Sequence, residues 1–174
     1  MRFQHALRGA VLVAMTAGAV GFAGSPALAE SPSPWQPFRS APFTQAAGDV
    51  CAFAVHGDIV TDHELVRTLQ TYPDGTPREQ EFVGPLVIRY TNLSTGASVE
   101  RNLTGTGWWF FDQDGTTHGN GVGHFGIGIH AGNTNPPPGE YVLTGAFDFV
   151  LGADGTRTFS VQGGTVENLC QTLG

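Results

Sequence analysis

The sequence has no lysine and only two cysteines, and just 13% of its residues are charged. The missing lysine leaves arginine as the sole strong cation. Both N-terminal arginines, Arg2 and Arg8, sit in a segment that reads as a removable leader. Without it, six arginines face fifteen carboxylates, a formal charge near −9. Such a surface repels nucleic acid and anionic membranes, and no basic stripe with interleaved aromatics offsets it. Two cysteines are too few for a structural zinc site. No Gly-x-Ser-x-Gly elbow occurs, and no phosphate-cradling glycine motif precedes a helix. After Ala23, no apolar run approaches the ~20 residues a spanning helix needs.

The N-terminus carries an ordered set of signals. A basic start is followed by an apolar run from Ala10 to Ala23, then Ser25-Pro26 and the small-residue sequence Ala27-Leu28-Ala29. This order predicts a secretory signal peptide over residues 1–29, cleaved after Ala29, and hence a secreted, extracellular protein. No membrane association is expected after cleavage. Residues 30–48 are rich in proline and read as a flexible leader, onto which Trp35, Phe38 and Phe43 bring apolar groups able to dock. A folded domain is expected over residues 49–174. Cys51 and Cys170 lie near its two ends, and in an oxidising compartment they are expected to form a disulfide.

Within that domain the pattern is strand and turn. Alternation or β-branched enrichment marks residues 50–60, 63–72, 86–91, 98–103, 108–112, 122–131, 141–151, 157–161 and 165–170. Asp74-Gly75, Asp114-Gly115 and Asp154-Gly155 mark turns. Eight or nine strands at this spacing predict an all-β antiparallel meander closed into a small barrel, which removes both exposed edges. The disulfide would then join neighbouring first and last strands. A two-sheet β-sandwich is the alternative.

The glycine-spaced strands Gly105-Thr-Gly-Trp-Trp-Phe-Phe, Gly121-Val-Gly-His-Phe-Gly-Ile-Gly-Ile and Gly139-Glu-Tyr-Val-Leu-Thr-Gly resemble uncharacterised secreted bacterial β-barrel proteins, of the lipocalin or allene-oxide-cyclase-like type. Gly107-Trp108-Trp109 echoes the lipocalin Gly-x-Trp, later in the chain than in that family. The resemblance implies a small barrel, and a barrel of about eight strands is either filled by its own side chains or holds one small ligand.

Individual residues carry weaker signals. His118, His124 and His130 recur every six residues, but His124 and His130 would be about 20 Å apart along one strand, too far to share a metal. They read as polar, solvent-facing positions, and no metal or cofactor is expected. His63-Glu64-Leu-Val-Arg67 lacks the second histidine of a zinc protease. Asp112-Gln-Asp114-Gly115 lacks the later ligands of a calcium loop. Trp108 and Phe110 point opposite to Trp109 and Phe111, so that strand is apolar on both faces. Arg89 and Arg101 sit among apolar neighbours and could enter the interior, with Asp148 as partner. The cavity candidates are therefore Arg89, Tyr90, Arg101, Trp108, Trp109, His124, Tyr141 and Phe147.

Three functions fit. The first is a non-catalytic binding or interaction protein for a small apolar ligand or a protein partner. The second is a cyclase or isomerase with an apolar cavity. The third is an exoprotein that self-associates through residues 108–111.

Overall fold

The computed structural model describes residues 31–174; the expected signal peptide lies outside them. Eleven strands and one short helix follow in order: β1 (Gln36–Pro37), β2 (Phe43–Gln45), β3 (Val55–Asp62), β4 (Leu65–Thr71), β5 (Pro77–Gly84), β6 (Leu86–Asn92), β7 (Ser98–Asn102), β8 (Gly105–Phe111), β9 (Thr117–Ile129), β10 (Gly139–Leu151), β11 (Arg157–Asn168) and α1 (Leu169–Thr172). No helix among the described residues is long and apolar enough to cross a membrane.

The all-β, antiparallel architecture is present, but the expected barrel closure is not. The strands form two open sheets, one of seven in the order β1-β4-β5-β8-β9-β10-β11 and one of four in the order β2-β3-β6-β7. The sandwich alternative fits this arrangement. The expected role of the disulfide changes with it. Cys51 lies in the loop before β3 and Cys170 lies in α1, with Cα atoms 5.3 Å apart across 119 residues of chain. The bond therefore ties the four-stranded sheet to the end of the seven-stranded one, instead of pairing first and last strands.

Turn chemistry accounts for three of the hairpins. Each carries Asp-Gly-Thr, at residues 74–76, 114–116 and 154–156. In each, the aspartate Oδ1 accepts from the amide of the threonine two residues on, at 2.8–2.9 Å. The glycine takes the positive φ that such turns require. All three turns lie at one end of the seven-stranded sheet, because β5 and β8, like β9 and β10, are antiparallel neighbours.

At the far ends of β5 and β8 and midway along β9 and β10, glycines line up across the sheet. Gly84 pairs with Gly105, Gly105 with Gly123, and Gly123 with Gly145. Gly84, Gly123 and Gly145 have φ of +126°, +108° and +115°, which residues with a Cβ rarely adopt. A Cβ on Gly123 would stand 2.8 Å from the Cα of Gly105, and one on Gly145 would stand 2.9 Å from the Cα of Gly164. The row is a crease: backbones crowd there and the sheet turns sharply. Beside it, β11 slips register against β10 between Thr144 and Ala146.

Two apolar cores result. One joins the sheets through Val55, Ile88, Tyr90, Leu103 and Val142, with Leu169 of α1 and Leu173 just after it. The other lies inside the curl of the larger sheet and holds Ile127, Ile129, Tyr141, Leu143, Phe147 and Phe149. The proline-rich segment belongs to both sheets, since β1 pairs with β4 and β2 with β3. Phe38 meets Phe82 edge-on at 5.2 Å, and Phe43 meets Tyr90 at 6.1 Å. The chain between β1 and β2 thus crosses from one sheet to the other. The expected strands also omitted β5, whose Arg78, Glu79 and Glu81 interrupt the apolar alternation.

Candidate functional site

The register that aligns β8 with β9 ends at Gly105–Gly123. From Phe125 to Ile129, β9 pairs only with β10. Its other edge borders a cavity of about 550 Å³ between the sheets, within the range of small-molecule sites. Because the cavity passes a strand edge, residues from both faces of β9 line it, Phe125 from one and Gly126 and Gly128 from the other.

One wall is aromatic. Trp109 stands at its centre, 5.4 Å from Phe82 and 6.1 Å from Phe125 between ring centroids, and Phe147 stacks on Phe125 at 5.0 Å. The opposite wall comes from the smaller sheet, with Leu86, Ile88 and Tyr90. Phe38, Ser40, Phe43 and Gln45, from the segment that crosses between the sheets, complete the enclosure.

Glu140 is the polar centre of this space. It is 3% exposed, sits opposite Gly128 on β10, and its Oε2 has no hydrogen-bond partner. Burial pushes its carboxyl up to about 7, and the nearby positive charge of Arg157 only partly opposes that rise. Gly126 and Gly128 leave room for the polar groups. A Cβ on Gly128 would stand 3.1 Å from Glu140 Oε2 and 3.5 Å from Gln45 Nε2, and one on Gly126 would stand 3.0 Å from the Tyr90 hydroxyl. Desolvation, with the Glu140 charge adding to it, raises the Tyr90 phenol far above its usual range, so the phenol stays neutral.

A second carboxylate, Glu64, reaches the cavity near Ser40, whose hydroxyl donates to it at 3.0 Å. Partial burial raises its pKa, the Ser40 bond opposes the rise, and repulsion from Asp62 adds to it. His124 also lines the cavity, with Nδ1 3.1 Å from the Thr144 hydroxyl. Among the described residues, no group of three or more metal-ligating side chains is clustered.

Of the residues singled out from sequence, Tyr90, Trp109, His124 and Phe147 meet at this cavity. Arg89 lies on the surface and binds Glu100 at 2.6 Å. Arg101 reaches across to Glu167 on β11 through two bonds of 2.6 and 2.7 Å. Neither uses Asp148, which accepts instead from Ser160. Trp108 and Phe110 occupy the outer face, where Phe110 stacks on His118. Tyr141 packs against Phe159 and donates to the carbonyl of Pro137.

The other two histidines are placed apart. His118 contacts Asp112 at 3.2 Å and His130 contacts Asp49 at 2.9 Å. Sequence reasoning missed Glu140 and Gln45, and set Glu64 aside with the zinc-protease pattern. Only Glu140 left a signal, as a lone carboxylate heading the apolar run Tyr141-Val142-Leu143.

No family model matches the chain, and no curated protein or solved structure is detectably similar to it.

Proposed function

We propose that this chain is an exported, non-catalytic binding protein that holds one small, largely apolar molecule between its two sheets. The observation that carries this reading is Glu140 Oε2, a buried carboxylate oxygen without a partner beside a cavity of ligand size. Native structures pair almost all buried polar atoms, and a ligand group donating to Glu140 would complete this one. The aromatic wall supports an apolar body for the ligand, since ring faces contribute large contact areas at little cost in side-chain entropy. The disulfide between Cys51 and Cys170 accords with an oxidising compartment.

Native mass spectrometry of the protein isolated from culture medium tests the reading. A stoichiometric small-molecule adduct on a chain beginning at Glu30 is the expected result. An apo mass, together with no uptake of any compound from a panel of small apolar molecules, would overturn it.

A further inference from the structure

Resting on that reading, we infer that the ligand is an organic cation, with an ammonium head against Glu140 and an apolar body against the aromatic wall around Trp109. The charge around the cavity is one-sided. Glu140 and Glu64 line it, and no arginine does. Four arginines are engaged by acids elsewhere: Arg39 by Asp62, Arg67 by Glu81, Arg89 by Glu100 and Arg101 by Glu167. Arg157 is the cation that Glu140 senses, but its Nη1 donates to the Gly128 carbonyl at 2.7 Å and forms no ion pair with the carboxylate.

An anionic ligand would therefore enter against two carboxylates with no arginine in the cavity lining to receive it. A neutral ligand would leave Glu140 in the protonated form that burial favours and would gain nothing from the charge of the carboxylate. A cation supplies the counter-charge, and its remaining surface meets ring faces, which attract positive charge through their quadrupoles. Trp109, Phe82, Phe125 and Tyr90 present four such rings from both walls of the cavity.

Binding should be linked to protonation. The groups facing Glu140 are Arg157 from β11, Tyr90 from β6 and Gln45 from β2. Burial keeps the Tyr90 phenol neutral, and Glu140 is the group whose charge changes with pH. A cation must displace its proton, and affinity should rise with pH through about 7.

The test uses the mature chain and three water-soluble probes of similar shape: benzylammonium, its neutral analogue benzyl alcohol, and phenylacetate. Calorimetry at pH 5.5 and pH 8 is expected to show the cation binding best at pH 8. Its affinity should fall at least tenfold, and ideally about thirtyfold, at the lower pH. Glu140→Gln is expected to remove both the pH dependence and the preference for the cation.

The wild-type probe series decides the matter even if that variant does not fold. Benzyl alcohol or phenylacetate binding as well as the cation at pH 8 overturns the inference and leaves the binding-protein reading standing. Binding of none of the three at millimolar concentration overturns both.

Discussion

Phe125 and Phe149 stack with ring centroids 5.0 Å apart and planes 23° from parallel, although Phe125 is paired with Leu143, six residues from Phe149 along β10. In a flat sheet those positions would lie about 20 Å apart. The strands therefore fold back at the crease marked by Gly123 and Gly145, and Trp109 is gathered into the same cluster, 4.8 Å from Phe149.

Replacing Gly123 by alanine is expected to destabilise the protein by about 1–3 kcal/mol. The new Cβ meets the backbone of Gly105 and Thr104 at 2.8 Å, at a φ that disfavours it. Urea unfolding measures the loss, and near-UV circular dichroism should show a weaker aromatic signal as the Phe125–Phe149 stack opens. Gly75→Ala, at a turn with nothing within 4 Å of the added Cβ, reports the cost of φ strain alone and should be milder.

Glu140 should make stability fall as pH rises. Its carboxyl holds a proton up to about 7 in the folded chain, whereas an unfolded glutamate releases it near 4.3. Between those values the unfolded state binds fewer protons, so unfolding gains on folding as pH increases. Glu140→Gln removes this effect. Its advantage over the wild type should be small at pH 4.5 and grow to about 3 kcal/mol at pH 8, as read from urea midpoints across that range. A difference that does not change with pH would show that Glu140 is not the titrating group.

Reduction of Cys51–Cys170 should cost on the order of 4–5 kcal/mol, by loop entropy across 119 residues. Thermal melts with and without reductant, together with a Cys51→Ala/Cys170→Ala variant, measure it. Because the bond joins the two sheets, its loss is also expected to speed hydrogen exchange in α1 and at the start of β3 before it affects β9 and β10.

The Arg101–Glu167 pair joins β7 to β11 and so spans the sheets at a different point. Its bidentate geometry holds the Glu167 carboxyl below its ordinary pKa, mainly through the Arg101 hydrogen bonds. That contribution is present above about pH 4.5 and is lost as pH falls through the lowered folded value. Both side chains are about one-third exposed, so Arg101→Gln should cost less than about 1 kcal/mol at pH 7. The cost should shrink in high salt and as pH falls through the lowered Glu167 value.

Much of the fold was legible in the sequence, and the reasons are local. Asp-Gly turns and the alternation of residues 141–151 depend on neighbours along the chain, and both are present as expected. Sheet closure depends on partners far apart. The glycine row that bends the sheet is written in four separate segments, and only the register shows that Gly84, Gly105, Gly123 and Gly145 coincide.

The site divides in the same way. Trp109 and Phe147 announced themselves as large apolar side chains on strands. Arg89 and Arg101 misled because apolar neighbours in sequence said nothing of Glu100 and Glu167, the acids that hold them at the surface. Gln45 was hidden in a stretch whose prolines read as leader, although the two ends of that stretch pair with different sheets.

The glycine row also determines how damage to it could be repaired. At Gly84 the nearest atom to an added Cβ is the carbonyl of His63, at Gly105 the carbonyls of His124 and Val122, at Gly123 the Cα of Gly105, and at Gly145 the Cα of Gly164. Every one is main chain, so no neighbouring side chain can be trimmed to make room. Substitutions in the row should accordingly resist intragenic suppression: a screen for second-site revertants of Gly123→Ala should return glycine at 123 itself, or general stabilisers elsewhere, and no compensating partner across the crease.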